Sequence, residues 1–182
     1  ERMAPLGSKM VQRRIKDQPE TGVREQSTKA AAICKSAGST LIVNDYWQLA
    51  IDLDCDWVHL GQEDLDIADM AAIRRAGLRL GLSTHDRDEL DRALGHDPDY
   101  IALGPVYPTK LKKMKWHQQG LEQLGEWQGL IGDIPRGAIG GMSVERAPGA
   151  FEAGADIVSA VTDITWHDDP EDRVRAWLEV TR

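Results

Sequence analysis

The sequence predicts a single α/β domain spanning residues 1–182, built on a parallel sheet covered by helices. Two observations carry this. Seven short apolar or β-branched runs, each about the length of one buried strand, are separated by segments with helical period and helical punctuation. Strands that alternate with helices through short loops run parallel, because each helix returns the chain to the same end of the sheet. The runs fall at residues 9–15, 40–43, 57–60, 78–82, 100–103, 138–139 and 156–161. Seven strands in this pattern suit either a (β/α)8 barrel or a doubly wound open sheet.

The intervening segments read as helices in turn. Ser27 is placed to cap a helix whose face is Ala30, Ala31, Ile33, Cys34 and Ala37, closed by Gly38. Ile67, Met70 and Ile73 share a face ending at Gly77. Thr84 or Asp86 opens a helix presenting Leu90, Ala93 and Leu94, closed by Gly95. Leu121, Leu124 and Trp127 form a further face, and residues 148–153 a shorter helix stopped by Gly154. The last has the fullest signature: Asp169 as N-cap, Pro170 at the first helical position, then Val174, Trp177 and Leu178 facing inward.

Composition narrows the function. The 182 residues carry 22 Lys and Arg against 30 Asp and Glu, a net charge of −8, which argues against a nucleic-acid partner needing a basic stripe. Mean hydropathy is −0.43, and no apolar run approaches the roughly 20 residues that span a bilayer, so no membrane partner is expected. Cys34 and Cys55 have no metal-ligand spacing and read as reduced thiols of a cytoplasmic protein. Neither the G-x-G-x-x-G fingerprint nor the P-loop is found.

In parallel α/β folds ligands bind at the carboxyl ends of the strands. Those ends collect Gln12, Arg14 and Lys16; Asn44 and Asp45; residues 59–64; residues 83–85; Gly104 and Pro105 running on to Thr109 and Lys112; Gly140 and Gly141; and Thr162. Arg14, Lys16 and Lys112 supply positive charge, and glycine-rich strand ends supply N–H groups that approach phosphate closely. Asp45 and Asp64 are hard oxygen ligands of the kind that hold Mg²⁺ alongside water and substrate phosphate. Asp45 could equally cap a helix, and Asp64 could simply solvate a loop. Asn44 is the only Asn in the chain, which sets it apart from a generic turn residue.

These segments carry a resemblance. Residues 12–16 (QRRIK), 43–45 (VND), 58–64 (VHLGQED), 83–85 (STH), 104–109 (GPVYPT) and 138–141 (AIGG), in this order, resemble the thiamine phosphate synthases, which are TIM barrels. The resemblance implies a transferase of thiamine biosynthesis. It would join a pyrimidinylmethyl group, carried as its diphosphate, to a thiazole phosphate or carboxythiazole phosphate, releasing pyrophosphate. It implies that Gln12, Arg14 and Lys16 hold the pyrimidine diphosphate with Asn44 and Ser83, that Asp45 and Asp64 bind Mg²⁺, and that Lys112 contacts the departing diphosphate. Thr109, Gly141, Val161 and Thr162 would form the thiazole phosphate pocket. Lys16, Asn44, Ser83 and Lys112 would carry catalysis by stabilising charge, with no covalent nucleophile. A homo-oligomer is left open.

Departures sharpen the expectation. Leu111 stands where the family has a hydroxyl residue, with Lys110, Lys113 and Lys115 around it. Strand alternation turns Arg13 toward the helical layer, where a charge is costly unless paired. Arg136 interrupts the apolar run before Ala138. His96, His117 and His167 are expected at the surface, and Trp127 and Trp177 in the core. A barrel of this kind takes about 250 residues and rarely fewer than about 200. The first strand signal resembles the family's second, so the expectation is a barrel lacking its first strand and most of its first helix, with residues 1–7 the tail of that helix. The competing readings are a thiazole tautomerase-like barrel, which needs no Lys16, Asp45 and Asp64 set, and a non-catalytic phosphate-ligand-binding fragment.

Overall fold

A computed structural model describes residues 2–16, 18–109 and 117–182. Among them are seven strands whose order in the sheet follows the chain, β1 to β7. They are β1 (Met10–Arg13), β2 (Thr40–Asn44), β3 (Trp57–Leu60), β4 (Arg79–Thr84), β5 (Tyr100–Leu103), β6 (Arg136–Ile139) and β7 (Ile157–Ser159). All seven fall on predicted strand signals. The chain forms two compact units, one ending at Gly81 and one beginning at Leu82.

In the first unit β1 pairs parallel with β2, Gln12 opposite Ile42, and β2 pairs parallel with β3, Asn44 opposite His59. Helix α1 (Glu20–Ser36) connects β1 to β2 and buries Val23, Ser27 and Cys34 along one side. Its start lies well before Ser27, which is therefore a buried helix residue and not a cap. Helix α2 (Trp47–Asp52) follows β2 and buries Leu49 and Ala50. It packs with Ile15 and Val23 into a small core flanked by Tyr46 and Leu53. Helix α3 (Met70–Arg75) is capped by Asp69, whose carboxylate accepts from the Ala72 N–H at 2.9 Å. Ile73 is buried, but Ile67 lies outside the helix and is exposed, so the predicted three-residue face does not form. Residues Ala4–Leu6, expected as the end of a helix, make a single 3-10 turn.

In the second unit β5 pairs with β6 and β6 with β7, again parallel. Helix α4 (Arg87–Leu94) is capped by Asp86, the second of the two predicted candidates, with Leu90 and Ala93 buried. Helices α5 (Gly120–Glu126), α6 (Gln128–Ile131) and α7 (Ala147–Glu152) flank β6 in the chain. A four-residue helix α8 (Thr162–Thr165) leads to α9 (Pro170–Val180), whose N-cap Asp169 accepts from the N–H groups of Glu171 and Asp172. Leu90, Ile101, Leu103, Leu124, Trp127, Ala138 and Trp177 belong to one core. Arg136 does not break β6. It opens the strand as a buried residue, its N–H donating to Asp156 at 2.8 Å and its guanidinium paired with the same carboxylate.

Candidate functional site

Alternation along β1 and just beyond sorts the side chains as predicted. Gln12, Arg14 and Lys16 are exposed, Arg13 is half-buried and Ile15 is buried. Arg13 reaches the helical layer and hydrogen-bonds Gln26 of α1. The ordinary guanidinium pKa is lowered there by burial. The bond to a neutral amide meets only part of the cost of placing a charge behind the sheet, because Arg13 Nε is buried with no hydrogen-bond partner.

The first unit brings three predicted site residues together. Asp45 follows β2 in the left-handed backbone region, φ +67°, a conformation Asp tolerates better than most residues. Its N–H donates to His59 O at 2.9 Å, continuing the β2–β3 pairing beyond Asn44. Its carboxylate ion-pairs with the Lys16 ammonium. Tyr46, not Asp45, occupies the N-cap position of α2, so the capping alternative for Asp45 falls away. Asp64 sits in the turn after β3, where its Oδ2 accepts from the Gly61 N–H at 2.8 Å. A Cβ at Gly61 would come within 3.2 Å of that oxygen, so glycine leaves the carboxylate room.

Burial pushes the Asp64 carboxyl up from its ordinary value. The Asp45 carboxylate, which hydrogen-bonds Asp64, adds to the rise, while the Gly61 N–H and Lys16 work against it. Two carboxylates so close share negative charge that one lysine only partly offsets. Asn44 and His59, paired across β2 and β3, are both buried. Burial lowers His59 to about 4, so it is a neutral imidazole at neutral pH. Among the described residues no cluster of three or more His, Cys, Asp or Glu forms a metal-ligating group.

The second unit holds the other predicted positions. Ser83 is half-buried near the end of β4, and the neighbouring Thr84 is buried with its hydroxyl donating to Ala102 O at 3.1 Å. The Gly104–Pro105 peptide after β5 is cis. From there the loop runs beside the end of β6, with Val106 N–H donating to Ile139 O at 2.8 Å and Tyr107 N–H to Gly140 O at 3.1 Å. This close approach demands glycine. A Cβ at Gly140 would lie 2.6 Å from Pro105, and one at Gly141 would lie 2.5 Å from Pro108 O. The two predicted glycine motifs are thus halves of one tight junction. Thr109 is half-buried at its end; Lys112 and Leu111, with Lys110, Lys113, Lys115 and Trp116, lie outside the described residues. Val161 is exposed and Thr162 half-buried at the start of α8.

Several contacts here have no signal in the sequence. Arg146 donates to Gly141 O and stacks over the Tyr107 ring, 4.5 Å from its centroid. Asp163 accepts from Arg173 Nε at 2.9 Å, Arg173 Nη2 at 2.8 Å and the Trp177 indole N–H at 2.8 Å. Arg173 also binds Glu145 at 2.9 Å. That bond, followed by one from Ser143, holds the Glu145 carboxyl down to about 2. Glu89, in the first turn of α4, reaches back past the N-cap to His85, its Oε2 2.7 Å from the ring Nδ1 and accepting from the His85 N–H at 2.8 Å. His117 and His167 are exposed as expected, while His96 is half-buried.

A family model described as thiamine monophosphate synthase matches residues 1–164. The thiamine-phosphate synthase of Rhizobium etli is 59% identical over 181 residues, covering 100% of this chain and 89% of the relative. That of Klebsiella pneumoniae subsp. pneumoniae is 47% identical over 165 residues, covering 91% and 78%. A solved thiamine phosphate pyrophosphorylase from Pyrococcus furiosus superposes with a TM-score of 0.87 at 25% identity, covering 99% of this chain and 86% of that one. With a family model matching residues 1–164 and a relative 59% identical across this chain, the chain belongs to the thiamine monophosphate synthase family.

Proposed function

We propose that this protein is a thiamine phosphate synthase. It transfers the 4-amino-2-methylpyrimidin-5-ylmethyl group from its diphosphate to a thiazole phosphate or carboxythiazole phosphate, releasing pyrophosphate. The observation that carries this reading is the convergence of Lys16, Asp45 and Asp64 at the ends of neighbouring strands. A tautomerase acting on a thiazole phosphate handles no diphosphate and has no use for that set. Both units are taken as parts of one catalytic domain of the TIM-barrel class, with seven parallel strands, on the strength of the strand order and the family likeness. The two unbonded cysteines suit a cytoplasmic enzyme, and no helix among the described residues is long and apolar enough to cross a membrane.

The donor set fits Mg²⁺. Two carboxylates with further ligands from water and phosphate oxygens is how this ion is usually held, and the pressure of Asp45 on Asp64 is what a divalent cation relieves. Bound there, Mg²⁺ would neutralise charge on the diphosphate oxygens. The protein's own groups do the rest. Gln12, Arg14 and Lys16 orient the pyrimidine diphosphate, with Asn44 and Ser83 holding the ring side. The C–O bond from the methylene carbon to the diphosphate breaks, its electron pair leaving with pyrophosphate, which Lys112 receives. The thiazole nitrogen lone pair forms the new C–N bond. Thr109, Gly141, Val161 and Thr162 fix the thiazole phosphate so that this nitrogen faces the carbon. No proton transfer to a nucleophile is needed, consistent with a buried neutral His59.

The test is pyrophosphate release from the two substrates with Mg²⁺. The wild-type chain should turn over, and the double variant Asp45→Ala, Asp64→Ala should not. Equal release from both would overturn the assignment.

A further inference from the structure

We propose that Arg173 is a positioning residue for the thiazole phosphate, acting through Asp163 and Glu145. This rests on the function proposed above and names a residue group outside the family motifs.

Apolar packing holds α8 only lightly. Four residues are too few for a self-stable helix, and α8 buries none of its side chains. The apolar residues on either side, Val161 and Trp166, are 46% and 64% exposed. Hydrophobic packing therefore anchors the segment that carries Val161 and Thr162 through one side chain, Ile164, half-buried against the core. Polar contacts supply the rest. Asp163, the residue after Thr162, is gripped through both carboxylate oxygens by the Arg173 fork and again by the Trp177 indole. The Asp163 and Arg173 side chains are only 15% and 16% exposed, which shelters the pair from solvent. A bidentate guanidinium–carboxylate pair fixes direction as well as distance, which a lysine cannot do.

Arg173 is shared with a second segment. Its Nη2 also holds Glu145, in the turn that follows Gly141. One side chain on α9, an eleven-residue helix anchored in the core by Val174 and Trp177, thus ties down the stretches after β6 and after β7. Each adjoins a residue assigned to the thiazole phosphate, Gly141 in one case and Thr162 in the other. Phosphate binding by backbone and hydroxyl donors depends on their being arranged beforehand. Arg173 supplies that arrangement without touching the ligand.

The experiment is steady-state kinetics with each substrate varied in turn. In Arg173→Gln, KM for the thiazole phosphate should rise about tenfold while KM for the pyrimidine diphosphate stays within about twofold. Arg173→Lys, which keeps the charge and loses the fork, should fall between. Trp177→Phe, which keeps the ring and removes one bond to Asp163, should shift the same KM by about threefold. Both KM values moving together, or neither moving in a folded Arg173→Gln variant, would overturn the proposal. If that variant does not fold, Trp177→Phe decides, and an unchanged thiazole phosphate KM overturns it. A wild-type chain with no turnover would count against the function reading alone. Calorimetric binding of thiazole phosphate to wild type and Arg173→Gln still tests the positioning, and equal affinities would refute it.

Discussion

The junction between the Gly104–Pro105 loop and Gly140 can be tested by one methyl group. Gly140 has φ +84°, and a Cβ there would lie 2.6 Å from both the Cα and the Cβ of Pro105. Holding an L-residue in the left-handed region costs about 1–2 kcal/mol. Forcing a methyl into a packed site with a rigid neighbour adds about 1–3 kcal/mol. Gly140→Ala should therefore destabilise by about 2–5 kcal/mol, a large part of a typical domain's 5–15 kcal/mol. Gly120 in the same unit separates the two contributions. It has φ +76° with nothing within 4 Å of its hypothetical Cβ, so Gly120→Ala should lose only the backbone part, about 1–2 kcal/mol. Urea unfolding of both variants measures the difference, and melting should shift by about 2–4 °C per kcal/mol for a chain of this length. Should Gly140→Ala cost no more than Gly120→Ala, the loop does not press on Gly140, and the junction as described is wrong.

Other outcomes follow from the same geometry. Asp45→Asn or Asp64→Asn alone should slow pyrophosphate release by about a hundredfold and raise the Mg²⁺ concentration for half-maximal rate; a loss below about threefold in either would contradict their role. His59 is held at about 4 against an ordinary value of 6.5, so between these pH values the unfolded chain binds a proton that the folded one refuses. Stability present above pH 6.5 should then drain away as pH falls to 4, by about 3 kcal/mol in all. His59→Gln should flatten this slope in pH-dependent unfolding, and identical slopes would exclude His59 as its source. Arg13→Met should leave stability unchanged or raise it by about 1 kcal/mol, because burying the guanidinium offsets what its bond to Gln26 contributes; a loss above about 1 kcal/mol by denaturation would show the pair to be a net stabiliser.

What could be read from the sequence is what repeats or caps locally. Alternation places Gln12, Arg14 and Lys16 on one side and Arg13 on the other, and single side-chain oxygens mark Asp169 as a helix start and Asp86 as one of two candidates with Thr84. No local signal marks the start of α1, because its N-cap, Pro19, has no side-chain capping bond. The best capping residue in the region, Ser27, was buried by helix packing instead. Helix α2 has no periodic stripe to mark it, because its six residues bury only Leu49 and Ala50.

The site divides along the same line. Residue types at strand ends pointed to Asp45 and Asp64, yet their mutual contact depends on a left-handed turn at Asp45 and a glycine beside Asp64, features of the folded chain. The Asp163–Arg173 pair shows the limit most clearly. Asp and Arg ten positions apart on two helices share no period, and either alone reads as a solvated charge. Only when α9 lies along α8 do they become a fixed fork. Groups that bind substrate can be recognised by type at a strand end. Groups that aim them are recognisable only as pairs, and a pair is a property of the fold.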